Sequence, residues 1–259
     1  MSGPLTGITL VVTRPAAQAE RFLALATAAG ARCVPFPTLA IEPVAPDAAA
    51  LQRARAHEWD WIVFTSANAV EHGVSWLPLR TATTHCIAVG QATERALRSC
   101  GIDVDARPEA ANSEGILALD AFARPAGQRV LIVKGRGGRD LLQTELAARG
   151  AEVHELEVYV RRRALPTEAS SSALHDALAG EDTFIAVTSA DVLEALLDLV
   201  PPADAARVCD VPLLVPGARV AAAARRLGWR GPVVQATTAE DAAMLEALRM
   251  HRNGRLPSA

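Results

Sequence analysis

The stretch Gly127–Arg163, GQRVLIVKGRGGRDLLQTELAARGAEVHELEVYVRRR, decides the fold. Val130–Val133 is a short apolar, largely β-branched run and predicts a strand. A turn of glycine and arginine follows it, Lys134–Arg139. Next comes an amphipathic helical pattern stopped by Gly150, then a second strand that ends at Tyr159, the only tyrosine of the chain. Residues 7–43, GITLVVTRPAAQAERFLALATAAGARCVPFPTLAIEP, repeat this plan. There Ile8–Val12 is the strand, Thr13-Arg14-Pro15 the turn, Gly30 the helix stop and Cys33–Phe36 the second strand.

Working outward, the remaining apolar runs are Trp61–Phe64, Ile87–Val89, Val153–Leu156, Phe184–Val187, Leu213–Val215 and Val233–Val234. Residues apolar at successive positions suit strands covered on both faces, as in parallel sheets between helix layers. Gly30, Gly101, Gly150 and Gly228 each end a helical pattern shortly before a strand, the position where a left-handed cap is needed. Thr237-Thr238-Ala239-Glu240 reads as a capping box opening a last helix that runs to about Met250. Proline clusters mark Pro35–Pro46 and the surroundings of Pro166 as irregular. Strands alternating with helices of this length define βαβ units and an α/β fold.

The repetition extends further. WIVFTSANAV (61–70) is echoed by FIAVTSADVL (184–193), and CIAVGQATERALRSCG (86–101) by LLVPGARVAAAARRLG (213–228). Asn112-Ser113-Glu114-Gly115 corresponds loosely to Thr238-Ala239-Glu240-Asp241. Three echoes in one order point to a duplication. The halves need not be separate domains cut near Ala126, although such a cut is equally allowed. A chain that leaves one domain after its first βαβ, builds a second, and returns would cross at the two proline clusters, with Tyr159 and Arg161-Arg162-Arg163 at the return.

Bulk properties exclude several classes. The chain has 259 residues, half of them hydrophobic and 21% charged, with a formal net charge of −3. Such a charge argues against a dedicated nucleic-acid binder. Every apolar run is far shorter than the ~20 residues of a membrane helix, so no membrane association is expected. The start MSGPLTG lacks the basic and apolar regions of a secretory signal, and a cytoplasmic location is expected. Cys33, Cys86, Cys100 and Cys209 show neither CxxC nor metal-like spacing, and three of them lie in or beside apolar segments and read as reduced core residues. Lys134 is the single lysine among many arginines.

Ligands of open parallel sheets bind beyond the strand C-termini, near helix N-termini. The turns at those places are small and polar: Thr65-Ser66-Ala67-Asn68, Thr188-Ser189-Ala190-Asp191, Gly90-Gln91-Ala92-Thr93 and Lys134-Gly135-Arg136-Gly137-Gly138-Arg139. Hydroxyls and orphan N–H groups at helix starts make anion sites. Taken singly, each threonine or serine is equally readable as a helix cap. Arg136 and Arg139 offer forked donors suited to carboxylates. The glycine and arginine turn is neither a P-loop nor a dinucleotide fingerprint, which weakens a nucleotide-dependent transferase reading. The six histidines show no metal-ligand spacing, and no Ser-His-Asp or Cys-His set is visible. A lone tyrosine such as Tyr159 normally packs with its hydroxyl satisfied.

In this order, WIVFTSANAV, AVGQATERALRSCG, NSEGIL, GRGGRDLLQTELAARGAEVHELEVYVRR and VTSADVLEALL resemble the uroporphyrinogen-III synthase family, from about Ile8 to Leu248. The resemblance implies two flavodoxin-like α/β domains with parallel sheets, joined by a two-stranded linker. It implies a discontinuous domain over 1–38 and 165–259, a second domain over 44–158, and crossings at 39–43 and 159–164. It further implies a cofactor-free enzyme that cyclises hydroxymethylbilane, a linear tetrapyrrole with eight carboxylates, while inverting its last pyrrole ring; nothing in the sequence forces an assembly beyond a monomer.

In the family the substrate lies in an interdomain cleft, held by backbone N–H groups, hydroxyls and arginines. Matched residue by residue, the hydroxyls are Ser66, Thr93 and Ser189, the cation Arg139, and the tyrosine assisting hydroxide departure Tyr159. With the turns included, the expected substrate-binding set is Arg14, Thr65, Ser66, Asn68, Gly90, Thr93, Ser113, Arg136, Arg139, Thr188, Ser189, Gly217 and Arg219. One departure stands out: where the family carries a hydroxyl in the second-half turn, this chain has Val220, within Pro216-Gly217-Ala218-Arg219-Val220. That substitution keeps open a non-catalytic ligand-binding or regulatory module on the same scaffold.

The chemistry accounts for the thin catalytic inventory. Loss of hydroxide from a hydroxymethylpyrrole is assisted by the ring nitrogen, so the protein mainly fixes a folded conformer and stabilises a transient cation. One weak acid suffices for the leaving group, and a phenol is protonated at neutral pH, as a donor must be.

Overall fold

The computed structural model describes residues 3–78 and 84–254. The parts of the expected domains at 1–2, 79–83 and 255–259 lie outside the described residues. The chain opens with β1 (Thr9–Val12), α1 (Ala16–Ala28), β2 (Arg32–Pro35), β3 (Leu39–Pro43) and α2 (Ala48–Ala56). It continues through β4 (Trp61–Phe64), α3 (Ala67–Gly73), β5 (His85–Ala88), α4 (Gln91–Ser99) and the short α5 (Ser113–Leu117). Then come β6 (Arg129–Gly135), α6 (Leu141–Ala148), β7 (Glu152–Arg163), α7 (Glu168–Leu178), β8 (Thr183–Ala186) and α8 (Ala190–Leu199). The short α9 (Ala205–Val208), β9 (Leu213–Val215), α10 (Ala218–Arg226), β10 (Val233–Gln235) and α11 (Asp241–Arg252) complete it.

Two compact units result, one from the chain up to Ala40 together with the chain from Arg162 on, the other from Ile41–Arg161. The first holds a sheet of order β10-β9-β8-β1-β2, parallel throughout. Counted in chain order from its own first strand, this is the doubly wound order 2-1-3-4-5. The second holds β3-β7-β6-β4-β5, in which β5-β4-β6-β7 follow the order 2-1-3-4.

Along the strands, neighbouring side chains enter different cores, as the two-residue period requires. Val11 joins a cluster with Ile185, Leu193 and Leu213, whereas Leu10 and Val12 join one with Phe22, Leu214 and Met244. In the second unit Ile62 and Phe64 pack with Trp59, Leu131 and Leu156, while Val63 packs with Ile87, Phe122 and Leu146. Each fully buried side chain of this size contributes about 1.5–3 kcal/mol. Gly30, Gly101, Gly150 and Gly228 close their helices at φ 94°, 73°, 87° and 85°, a region where a Cβ is penalised.

The internal repeat is spatial as well as sequential. The elements α2, β4, α3, β5, α4, α5, β6, α6 and β7 of the second unit follow the order of α7, β8, α8, β9, α10, α11, β1, α1 and β2 in the first. Matched strands occupy matched places: β9-β8-β1-β2 in one sheet, β5-β4-β6-β7 in the other. The counterpart of β10 is reduced to one bridge, Ala106 beside Ile87. The second unit is therefore a continuous copy of a plan that the first presents in two pieces.

Four local expectations are corrected. The Pro35–Pro46 stretch contains β3, an edge strand whose Pro43 sits at its end, where a missing N–H costs nothing. Val44 N–H donates to Val158 O at 3.1 Å and Ala164 N–H to Thr38 O at 3.0 Å, so β3 runs antiparallel to β7. This partner carries β7 on to Arg163, past the expected end at Tyr159. Lys134 and Gly135 belong to β6, and the turn begins at Arg136. Finally, α11 starts at Asp241 with Glu240 as its N-cap residue and no side-chain cap, because Thr238 Oγ1 accepts from Glu240 N–H at 3.3 Å instead of opening a capping box.

The single bridge at Ala106 is held by Asp105, which accepts from Cys86 N–H at 2.7 Å and meets His85 Nδ1 at 2.9 Å. Desolvation opposes its charge, but the hydrogen bonds from His85 and Cys86 outweigh it and hold the carboxyl below the usual value. A lowered native pKa gives stability that is present above the ordinary carboxylate value of ~4 and lost as pH falls through the native one. Asp105→Asn should therefore unfold at lower urea than the wild type at pH 7, and the gap should narrow as the pH is taken below the ordinary carboxylate value.

Candidate active site at the sheet edges

In the second unit the strand order reverses between the parallel strands β4 and β6, and the turns after these strands form the crevice where such folds bind ligands. Thr65 closes the gap: its N–H and Oγ1 both donate to Val133 O, at 3.1 and 3.2 Å. Its hydroxyl is thus spent on stitching β4 to β6. Ser66 caps α3 by accepting from Ala69 N–H at 3.0 Å. Asn68 is half-buried in the same first turn.

Tyr159 reaches this turn through a bulge. Lys134 pairs with Glu157 and Gly135 with Tyr159, so Val158 is the extra residue on β7. A bulge re-aims the side chain that follows it. Val158 and Tyr159 consequently enter the same core. The phenol ring lies over Gly135, where a Cβ would stand 2.5 Å from Tyr159 Cζ and 2.6 Å from Cε2. Only glycine leaves room for it. Tyr159 is 1% exposed. Its hydroxyl lies 3.0 Å from Ser66 Oγ and accepts from Arg161 Nη2 at 3.3 Å. The Arg161 guanidinium carbon is 5.9 Å from the ring centroid, and the His72 ring is 6.2 Å away.

At α4, Gly90 is the N-cap residue in extended conformation, φ −165°. Its α-carbon faces Ala111, whose Cβ would be 3.0 Å from an added Cβ. Thr93 lies one turn in and is 2% exposed, so it is not the cap. Likewise Asn112, not Ser113, caps α5, accepting from Gly115 N–H at 2.7 Å. The two arginines of the glycine-rich turn do not stand alone. Arg136 Nε donates to Glu157 at 3.1 Å, and Arg139 grips Glu114 through both terminal nitrogens at 2.6 and 3.1 Å. That bidentate pair raises the Arg139 pKa.

The first unit repeats the pattern with differences. Ser189 caps α8, accepting from Val192 N–H at 3.2 Å, the same offset as at Ser66, and Thr188 is half-buried beside it. Gly217 begins α10 at φ 144°, a conformation open to glycine. Arg219 is exposed, whereas Val220 is 5% exposed and packs into the core. Arg14 is buried: it pairs with Asp241, donates to Ala239 O at 3.0 Å and lies 4.4 Å from the Phe22 centroid. Its fork is occupied by the start of α11.

The structure thus joins Ser66, Tyr159 and Arg161 in one hydrogen-bonded group and sets Arg139 against α5. Arg161 had no assigned role in the sequence reading, nor did the acidic partners Glu114, Glu157 and Asp241. Residues two apart on a strand share a face, a signal that pairs Tyr159 with Arg161. A cleft of about 300 Å³ beside α3, lined by Pro43, Glu71, His72 and Trp76 among others, contains none of the expected residues. Among the described residues, no group of three or more His, Cys, Asp or Glu side chains could hold a metal ion. Burial and Asp105 push the Cys86 thiol up to about 11.

Two doubly wound α/β units carry hydroxyls, helix starts and arginines along their strand C-termini, the edge at which folds of this class bind ligands. The family model for "Uroporphyrinogen-III synthase HemD" matches residues 20–246. The uroporphyrinogen-III synthase of Escherichia coli (strain K12) is 32% identical over 250 residues, covering 93% of this chain and all of the relative. That of Salmonella typhimurium is 34% identical over 190 residues, 73% of this chain and 74% of the relative. The chain belongs to the uroporphyrinogen-III synthase family. The fold agrees with crystal structures of a mutant form of the Thermus thermophilus enzyme, TM-score 0.64 at 23% identity over 96% of this chain and 100% of that one, and of the Helicobacter pylori enzyme, 0.62 at 15% over 93% and 98%.

Gly135→Ala should force the Tyr159 ring off its seat. Overpacking of this kind costs about 1–3 kcal/mol, to be read as a lower midpoint in urea unfolding.

Proposed function

We infer that this protein is a working uroporphyrinogen-III synthase, which closes hydroxymethylbilane into a macrocycle with inversion of the last ring and loss of water. The observation that carries the reading is the Ser66–Tyr159–Arg161 group at the β4/β6 crevice. It supplies a hydroxyl donor backed by a cation beside exposed helix starts, where a leaving hydroxide needs a proton and substrate carboxylates need N–H groups. The ring nitrogen pushes, the C–O bond breaks, and the oxygen leaves as water once it takes a proton from the hydroxyl group. A carbon–carbon bond then forms at the substituted α-carbon of the last pyrrole. The bond from that carbon to its original methylene bridge breaks and re-forms at the free α-carbon of the same ring, which then loses its proton. The protein's larger task is to hold the conformer in which the substituted α-carbon, rather than the free one, is within reach.

The carboxylates fall to the edge donors of each unit: Ser66, Asn68, Gly90, Thr93, Ser113, Arg136 and Arg139 in one, Thr188, Ser189, Gly217 and Arg219 in the other. Arg136 and Arg139 already carry internal carboxylates, and a substrate carboxylate joins or replaces these. Arg14 and Thr65 serve as scaffold beneath the site. Val220 fits a core position in the first unit, so its missing hydroxyl is compensated by Arg219 one residue earlier. The relatives are named as synthases, and nothing found favours a non-catalytic module.

We place the domain crossings at 39–43 and 159–164, supported by β3 and the far part of β7. Among the described residues no helix is long and apolar enough to cross a membrane. The reading includes a cytoplasmic monomer.

Incubation with freshly prepared hydroxymethylbilane, followed by oxidation and separation of the type III and type I isomers, tests the activity. Type III product is expected; type I alone would overturn it. Tyr159→Phe should lower kcat roughly tenfold or more with the thermal midpoint moved by only a few degrees. Thr93→Val, nearly isosteric, should lower kcat/KM several-fold, and an unchanged value would remove Thr93 from the binding set.

A further inference from the structure

The hydrogen bonds around Tyr159 have a direction that follows from donor counting. A phenol or hydroxyl has one proton to give and two lone pairs to accept with. Arg161 has donors only, so the Tyr159 oxygen accepts from it at 3.3 Å. Ala69 N–H likewise donates to Ser66 Oγ at 3.0 Å. Between Tyr159 Oη and Ser66 Oγ, 3.0 Å apart, either could donate. If Ser66 gave its proton, Tyr159 would accept twice and its own O–H would need another acceptor inside a residue that is 1% exposed. If Tyr159 donates, every proton inside is placed and the spare one belongs to Ser66, which is half-buried at the crevice. Leaving a buried donor unmade is the costlier arrangement.

Resting on the synthase reading, we propose that Arg161 is a positioning residue acting through Tyr159, and that Ser66 is the hydroxyl that offers its proton to the departing oxygen. The order is Arg161 N–H to Tyr159 Oη–H to Ser66 Oγ–H, each bond polarising the next. Proton transfer then runs along the chain: Ser66 gives its proton to the leaving oxygen and takes one from Tyr159. The phenolate formed is held by the Arg161 cation until solvent returns the proton. The bulge on β7 re-aims Tyr159 over Gly135, and Arg161, two residues on, follows on the same face. Tyr159 thereby acts one bond away from substrate.

Two experiments test the assignment. The first needs no substrate. Tyr159 is the only tyrosine, so the tyrosine doublet in ultraviolet resonance Raman spectra reports its hydrogen bonding alone. Arg161→Met removes the accepted bond and should move the intensity ratio toward that of a pure donor. Ser66→Gly, which keeps a tolerated N-cap, should move it the opposite way. An unchanged ratio in Arg161→Met, or shifts of one sign in both variants, overturns the relay whatever the protein's activity.

The second experiment is kinetic and uses the wild type's type III product as its reference, so that a failure of the synthase reading shows separately. Arg161→Met should lower kcat by roughly tenfold with KM little changed, and Arg161→Lys should restore part of it. In a Tyr159→Phe background Arg161→Met should cost nothing more. Losses that multiply across the two sites would show that Arg161 acts on substrate directly and would overturn its role through Tyr159.

Discussion

Burying a parallel sheet on both faces confines chemistry to its edges. Over Leu10–Val12 of β1 and Trp61–Phe64 of β4 each successive side chain is committed to one or other core, which leaves little along the strands for a ligand. The helices spend one side on the same cores. What remains are the turns after each strand, where backbone N–H groups at helix starts are unpaired by construction. A protein built this way offers donors, not nucleophiles. That suits a reaction whose substrate carries its own driving force and whose difficulty is which of two rings closes.

Within the edges, hydrogen-bond allocation separates scaffold from site. Thr65 spends its hydroxyl on Val133 O, and buried Thr13 spends its own on Ala186 O at 2.7 Å. Each ties neighbouring strands together at the mouth of the crevice. Ser66 and Ser189 cap helices and still hold a proton of their own. The arginines divide in the same way. Arg14 is locked under α11, while Arg136 rests on the half-buried Glu157 and Arg139 on the exposed Glu114, and surface ion pairs of this sort are weak.

Much of this was legible in residue order. Strand runs apolar at every position announced two-sided burial, and the four glycines before strands marked helix ends with their left-handed φ. The echo of WIVFTSANAV in FIAVTSADVL correctly matched β4 to β8 and Ser66 to Ser189 in capping geometry. What the pattern could not carry was pairing between distant segments. β3 hides among prolines because its identity comes from β7, the strand it flanks, over a hundred residues away. The bulge at Val158 leaves no local mark, so the side to which Tyr159 turns was not readable. The carboxylates facing Arg14, Arg136 and Arg139 come from elsewhere in each unit, and only the fold introduces them.

The antiparallel β3–β7 pair has a consequence for how the chain reaches its native state. The first unit closes only when β1 meets β8, Thr9 beside Thr183, and the whole second unit intervenes. Closing so long a loop in an unstructured chain carries an entropic cost that falls by roughly 0.6 kcal/mol for each halving of its length. The second unit is continuous in sequence, so its own strands meet across shorter stretches of chain. Once that unit has formed, β3 against β7 brings the outgoing and returning chains side by side, and the remaining closure is short. The ladder therefore lowers the entropic cost of closing the interrupted unit onto an inserted unit that has already formed.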